Sequence, residues 1–147
     1  MQKINAVQEA DLEKYTVEIV FLHDNSVQPL TIEADEAGTS DDIVLNTFIG
    51  GTCVSASGYG YFAAFQKLRD KLLRKGYGVK CIGAKLNAVQ SSMAGSTPKI
   101  YLVELGKQAL LKDLVCLFDY ADISVFPDTK EQNKFTEKWV CSLGRGN

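Results

Sequence analysis

The side chains that most often carry catalysis are sparse in this sequence. His23 is the only histidine, so a cysteine nucleophile would need it as the general base, with Asp24 beside it to orient the ring. No two of the histidine and cysteine side chains are close enough along the chain to form a zinc motif. The cysteines sit among apolar neighbours, where we expect free, buried thiols: Cys53, Cys81, Cys116 and Cys141.

A glycine-rich segment is the second place where the residue types suggest chemistry. Ser57-Gly58-Tyr59-Gly60 comes directly before a helical pattern, and free N–H groups at the start of a helix can bind phosphate. The Gly-Lys-Ser/Thr that would complete a P-loop does not follow. We expect Thr52 to Gly60 to be a flexible loop that Tyr59 helps to anchor. The alternative is a small-ligand or nucleotide-binding enzyme that uses the Ser55–Gly60 loop, with His23 or a cysteine beside it.

Carboxylates and basic residues give no stronger signal. Asp128 lies downstream of Glu104 and Lys107, which is the wrong order for the hairpin site of a metal-dependent nuclease. A basic helix face without interleaved aromatic residues is normally solvated rather than bound to nucleic acid, and this applies to Lys67, Lys71, Arg74 and Lys75. We therefore predict that the protein is not an enzyme, and we assign no catalytic, cofactor-binding or metal-binding residue.

The charges divide unevenly along the chain. The whole sequence carries −2, yet residues 1–50 hold ten acidic and two basic residues, a balance of −8, while the remainder balances at +6. The densest acidic cluster lies on and beside the predicted loop from Asp35 to Asp42, and this loop needs no acidic residues for folding. An acidic surface attracts a basic partner. The candidate partner-binding residues are therefore Glu33, Asp35, Glu36, Asp41 and Asp42, with Asp24 as a secondary candidate.

A central helix organises the elements that position these groups. Its apolar stripe recurs at helical spacing and consists of Tyr61, Phe65, Leu68 and Leu72. The opposite side should be solvated and contains Gln66, Lys67, Asp70, Lys71 and Arg74. Gly76 and Gly78 end the helix, and the apolar run from Val79 to Ala84 predicts a strand.

The first third of the chain has the pattern of a hairpin. Tyr15 to Phe21 alternates polar and apolar residues, His23 to Ser26 has turn chemistry, and Gln28 to Ala34 returns as a second strand. Ser40 is a candidate helix cap. Ile43–Ile49 is either a short helix or a strand, and its composition does not decide between them.

The last third predicts one strand, two helices and a long loop. Lys85 to Pro98 is polar and small and predicts an exposed loop. Lys99 to Leu105 alternates as a strand, and Lys112 to Tyr120 has the composition of a short helix. Thr129 to Leu143 predicts a final helix, capped by Thr129, with Phe135, Trp139 and Leu143 on one face.

Together these elements predict one α+β domain over residues 1–147, with a mainly antiparallel sheet, helices packed on it and a ββαββα-like order. The Tyr15–Ala34 hairpin and the Val79 and Lys99 strands should share one sheet. We expect an N-terminal arm at residues 1–14 and a frayed tail at residues 144–147. The expected core residues are Phe65, Leu68, Leu72, Ile82, Leu102, Val115, Phe118 and Trp139.

The sequence also indicates where the protein works. No apolar run approaches the roughly 18 residues that a membrane-spanning helix needs, and the first residues lack the apolar segment of a secretory signal. We therefore expect a cytoplasmic protein that binds neither a membrane nor nucleic acid directly.

Several stretches in the later part of the chain carry a family resemblance. They are Ala63–Arg69, Cys81–Ala84, Lys99–Ala109, Asp113–Asp119, and Glu131–Gln132 with Phe135, Trp139 and Ser142–Leu143. Over roughly residues 58–143 the chain resembles small bacterial proteins encoded near polymorphic or contact-dependent toxins. The resemblance implies an immunity-like protein that neutralises a cognate toxin by binding it. The expected partner is a basic nuclease toxin, which an acidic surface would attract while excluding phosphate.

Overall fold

The computed structural model describes residues 12–36, 42–91 and 97–144 of the chain. These residues form two antiparallel sheets and two α-helices around a shared core, which confirms the predicted α+β class. The strands are β1 (Glu13–Phe21), β2 (Ser26–Glu36), β3 (Asp42–Ile49), β4 (Thr52–Tyr59), β5 (Tyr77–Lys80), β6 (Ala88–Gln90), β7 (Lys99–Leu102) and β8 (Leu114–Cys116). The helices are α1 (Tyr61–Arg74) and α2 (Thr129–Gly144), with short 3-10 turns at Ile82–Ala84 and Leu111–Asp113.

The larger sheet has five strands in the order β4-β3-β2-β1-β5. The predicted hairpin is confirmed, since β1 pairs with β2 from Glu13 opposite Ala34 to Phe21 opposite Ser26. Alternate side chains face the core, such as Val17 and Ile19 on β1, and the side chains between them form the outer face of the sheet.

Helix α1 packs against β3, β4 and β5. Its predicted apolar stripe is confirmed, because all four of its residues are buried: Tyr61, Phe65, Leu68 and Leu72. The helix ends where expected, and Gly76 follows with a φ of +94°, a conformation that favours glycine. The helix crosses β4 closely, since a Cβ on Gly58 would lie 2.5 Å from the backbone nitrogen of Ala64.

The second sheet, β6-β7-β8, corrects three expectations. The predicted Val79 strand belongs to the larger sheet as β5, whereas the Lys99 strand is β7 of the smaller one. Residues 114–116, inside the predicted helix from Lys112 to Tyr120, pair with β7 as β8. Residues 88–90 form β6 inside the predicted Lys85–Pro98 loop. Backbone pairing over a long sequence separation decides these elements, and local composition does not reveal it.

Three segments in the first half of the chain either differ from the prediction or decide between alternatives that the sequence leaves open. Ile43–Ile49, left open between helix and strand, lies in β3. Thr52–Tyr59, expected to be a flexible loop, is β4, paired with β3 along its whole length. Glu13 and Lys14, assigned to an N-terminal arm, belong to β1. The rest of that arm up to Asp11, the Ser40 cap and the tail beyond Gly144 lie outside the described residues.

Most of the expected core residues are buried in the core cluster or packed against it, and Trp139 is the exception. Phe65, Leu68, Leu72 and Phe118 are buried, while Ile82, Leu102 and Val115 are partly buried against the same cluster. Trp139 lies outside that cluster and is half-buried, with its indole Nε1 donating a 2.8 Å hydrogen bond to the Lys107 carbonyl. The reason is that α2 covers the second sheet shallowly, and Gln132 is its one buried side chain.

Candidate functional site

The predicted acidic residues of β2 and β3 lie on the outer face of the five-stranded sheet. Ile32 and Ala34 of β2 face the core, so Glu33 and Asp35 face outward. Asp35 is exposed and Glu33 is half-buried. Asp42, the first residue of β3, is exposed as well.

Asp35 and Asp42 come together at one end of this sheet. Asp35 is opposite Val44, so Asp42, two residues earlier on β3, is its diagonal neighbour. Diagonal neighbours in an antiparallel pair are about 7–8 Å apart. Tyr59 is opposite Asp42 on the other side, at the end of β4, and is 71% exposed. We call Asp35, Asp42 and Tyr59 the acidic corner.

The remaining predicted contact residues are placed less favourably. Glu33 is opposite Lys14 on β1, and the Lys14 Nζ lies 3.9 Å from the Glu33 Oε2. Such exposed pairs contribute only about 0–1 kcal/mol, but the lysine offsets the charge that Glu33 offers a partner. Glu36 is the last residue of β2, opposite Ile43. Asp41 lies outside the described residues.

Asp24 has a local role in the β1–β2 turn. Its Oδ1 accepts a 2.9 Å hydrogen bond from the Ser26 backbone N–H, and hydrogen bonding from Ser26 lowers the pKa of this carboxyl. The turn lies at the Ser26 end of β2, whereas Asp35 lies near the other end. At about 3.3 Å per residue, the two carboxylates are roughly 30 Å apart along the strand. The fold therefore does not bring Asp24 to the acidic corner.

The histidine and cysteine side chains are dispersed. All four cysteines are free, but only Cys81 is fully buried, and burial raises the pKa of its thiol to about 12. The expectation of burial is wrong for Cys53 and Cys141, which are exposed because one faces outward from an edge strand and the other lies on the solvent side of α2. The His23 ring contacts Phe21, with ring centroids 5.7 Å apart.

Two further properties concern the described part of the chain. Within it, no group of three or more His, Cys, Asp or Glu residues could hold a metal ion. Neither of its helices combines the length and apolar character that crossing a bilayer requires.

The predicted phosphate-binding segment is part of β4 and the start of α1. Gly58 is buried because α1 packs directly on it, and Gly60 takes a φ of +101° where the strand turns into the helix. Tyr61 is buried, whereas Tyr59, expected to anchor a loop, points to solvent. The two glycines thus serve a close strand-to-helix packing. The alternation along β4 is the sequence signal that places Tyr59 outside.

A buried polar network is the feature that sequence reasoning missed. Gln66, predicted to be solvated, is buried together with Arg69 of α1 and Gln132 of α2. The Gln132 Oε1 accepts hydrogen bonds from the Arg69 Nη2 at 2.6 Å and the Gln66 Nε2 at 3.0 Å. Its Nε2 donates to the carbonyls of Gly83 at 2.9 Å and Lys85 at 2.7 Å. This network joins the two helices and is not solvent-accessible, so we assign it to stability.

No model of a known protein family matches this chain, and no curated protein gives a significant sequence match.

Proposed function

We propose that this protein is a non-catalytic, cytosolic binding module that acts as an immunity protein and neutralises a cognate toxin through the acidic corner. The observation that carries the proposal is the position of Asp35 and Asp42 beside the exposed Tyr59 on one end of the sheet. Exposed aromatic side chains are enriched at protein interfaces, and a tyrosine opposite a carboxylate suits a basic surface that presents arginine.

The charge at this corner favours fast association. Two unit charges 4 Å apart interact by about 1 kcal/mol in bulk water, and salt at physiological strength screens them beyond about 8 Å. Neighbouring carboxylates therefore act chiefly on the association rate, which falls as salt rises. A nuclease toxin with a basic cleft is the partner class that this charge suits best, and the resemblance to proteins encoded near toxins points to the same class.

The test is the association rate with the toxin encoded beside this protein, at low and at high salt. Asp35, Glu36, Asp41 and Asp42 changed together to Lys should slow association by about tenfold or more at low salt. The wild-type rate should fall towards that of the variant as salt rises. Far-UV circular dichroism should show that the fold of the variant is intact.

A matched control separates the corner from the net charge. Glu104, Asp119, Asp122 and Glu137 are exposed, and changing all four to Lys alters the net charge by the same amount at other places. This control should associate at a rate much closer to wild type. If no complex forms, the immunity proposal fails; if both quadruple variants slow association equally, the acidic corner is not the contact surface.

The rival class, a nucleotide-binding enzyme, is tested by a thermal-shift screen with nucleotides and thiol reagents. We expect no large shift with any nucleotide. A large shift that Ser57→Arg abolishes would replace the binding-module proposal with the enzyme.

A further inference from the structure

The outer edge of β4 has the features of a strand that accepts another strand. β4 stands at one end of the sheet, and in the part of the chain that the structure describes no strand pairs with its other edge. Thr52–Tyr59 contains neither a charged residue nor a proline, which are two of the features that usually keep a sheet edge from pairing. No residue of β4 itself therefore blocks an incoming backbone.

The backbone groups of β4 point towards this edge at every second residue. The Ser55 carbonyl accepts a 2.5 Å hydrogen bond from the Lys71 Nζ of α1. Ile49 and Thr52 close the two-residue turn at Gly50-Gly51 and are therefore a hydrogen-bonded pair, so Ser55 and Asn46, three positions along the ladder, exchange no backbone hydrogen bonds. Such residues alternate along a strand, so the N–H and C=O groups of Cys53, Ser55 and Ser57 face the free edge. A carbonyl oxygen has two acceptor sites, so Lys71 leaves one on Ser55 available.

A cationic groove lies beside the first half of this edge. Its volume is about 360 Å³, and its lining is Thr52, Cys53, Val54, Ser55, Lys71, Arg74 and Lys75. Lys71 and Arg74 come from the last turn of α1 and Lys75 from the residue after it, and none of the lining residues is acidic. An incoming strand with carboxylates would therefore meet both unpaired backbone groups and positive charge.

The same charge disfavours a second copy of this chain as the occupant. Lys67 and Lys71 are one helical turn apart on α1 and share a face, and Lys71 reaches the middle of β4. Pairing β4 with β4 about a two-fold axis would bring these lysines of one copy towards the same lysines of the other. Like charges placed together across an interface are unfavourable.

We propose that β4 and the cationic groove bind an extended acidic segment of a partner protein, which adds to the sheet as a sixth strand. Main-chain hydrogen bonds to β4 would supply affinity, and alternate carboxylates facing Lys71, Arg74 and Lys75 would supply selectivity. The cationic groove adjoins Thr52–Ser55, whereas the acidic corner shares only Tyr59, at the opposite end of β4. This inference therefore does not rest on the proposed function.

The probe is a fluorescent octapeptide of alternating Val and Glu, titrated with the full-length protein and followed by anisotropy. We expect saturable binding that weakens as salt rises. The same peptide with Lys in place of Glu should not bind. A Val-Glu peptide N-methylated at alternate residues keeps every charge but loses the N–H groups that face β4, and it should bind at least tenfold more weakly.

Charge variants locate the surface. Lys71→Glu, Arg74→Glu and Lys75→Glu together should weaken binding at least tenfold. The matched triple change on the exposed side of α2, at Lys130, Lys134 and Lys138, should leave it within twofold of wild type. The quadruple lysine variant of the acidic corner should still bind the peptide, whatever its effect on the toxin.

Four results would overturn the inference. Equal binding of the N-methylated peptide would mean simple attraction of a polyanion, and equal loss in the α2 control would mean a non-specific charge effect. A dimer in light scattering that excludes the peptide would mean that β4 pairs with its own copy. Absence of binding would mean that the cations only protect the edge from aggregation.

Discussion

Gln132 should contribute more than any other side chain to the attachment of α2 to the rest of the protein. Gln132 is its buried residue, and the amide makes four hydrogen bonds, to Gln66, Arg69, Gly83 and Lys85. The chain enters α2 through a capping box, in which Asp128 Oδ1 accepts from the Glu131 N–H and Glu131 Oε1 accepts from the Asp128 N–H. Thr129, predicted to be the cap, instead donates its hydroxyl to the Gln66 carbonyl at 3.3 Å.

Changing Gln132 to Ala removes all four of these hydrogen bonds. Each contributes about 0.5–1.5 kcal/mol net, so the loss is about 4 kcal/mol. In this variant Arg69 keeps its hydrogen bonds to Asp70 at 2.9 Å and to Thr129 at 3.2 Å. Its Nη1 is already buried without a partner among the described residues, so few groups nearby can replace the hydrogen bond that the guanidinium loses. Since a domain is stable by only about 5–15 kcal/mol, this is a large fraction.

Urea unfolding followed by circular dichroism measures this effect. With a slope of about 2 kcal/mol/M, the midpoint of Gln132→Ala should fall by roughly 2 M. Asn133→Ala is the matched control, because Asn133 is the exposed neighbour on the same helix and should stay within about 0.5 kcal/mol. A loss of less than about 1 kcal/mol for Gln132→Ala would refute the idea that the buried network holds α2.

Three further predictions concern the core, the closest packing contact and the thiols. Leu68→Ala should lower the free energy of unfolding by about 2–5 kcal/mol, because Leu68 is fully buried, and urea unfolding measures it. Gly58→Ala should cost about 1–3 kcal/mol in the same assay, since the new Cβ would lie 2.5 Å from a backbone atom of α1, whereas Ser57→Ala on the outer face should be nearly neutral. At pH 8 a chromogenic disulfide reagent should label Cys53 at once and Cys81 only on unfolding, because Cys81 is buried and its pKa is raised to about 12.

Because the pKa of Cys81 is raised in the folded state, the free energy of unfolding should fall at alkaline pH. The folded state favours the neutral thiol, so its contribution to stability is fully present below the ordinary pKa of 9.0 and is lost as the pH rises through about 12.

Labelling of native Cys81 as fast as Cys53 would contradict its burial. An unchanged urea midpoint would count against the core position of Leu68 or against the close approach at Gly58.

The sequence alone determined the elements whose pattern is local. The stripe from Tyr61 to Leu72 repeats at the period of a helix, and one apolar face is enough to say that α1 packs on a core. The β1–β2 hairpin is predictable too, because polar and apolar residues alternate on both sides of a turn sequence. The predicted second strand stops at Ala34, however, and only the structure extends β2 to Glu36, which sets Asp35 beside Glu33 on the outer face.

Only the tertiary structure decided the elements that depend on distant partners. Thr52–Tyr59 is rich in small residues with weak strand propensity, and it is a strand because β3 pairs with it and α1 covers Gly58. Leu114–Cys116 is a strand because β7 lies beside it. Gln66 lies on the side of α1 that is predicted to be solvated. It is buried with Arg69 because Gln132, more than sixty residues later in the chain, accepts hydrogen bonds from both. Asp42 and Tyr59 lie opposite each other because β3 pairs with β4. The types of these two residues do not reveal that pairing, so the sequence could not predict the acidic corner.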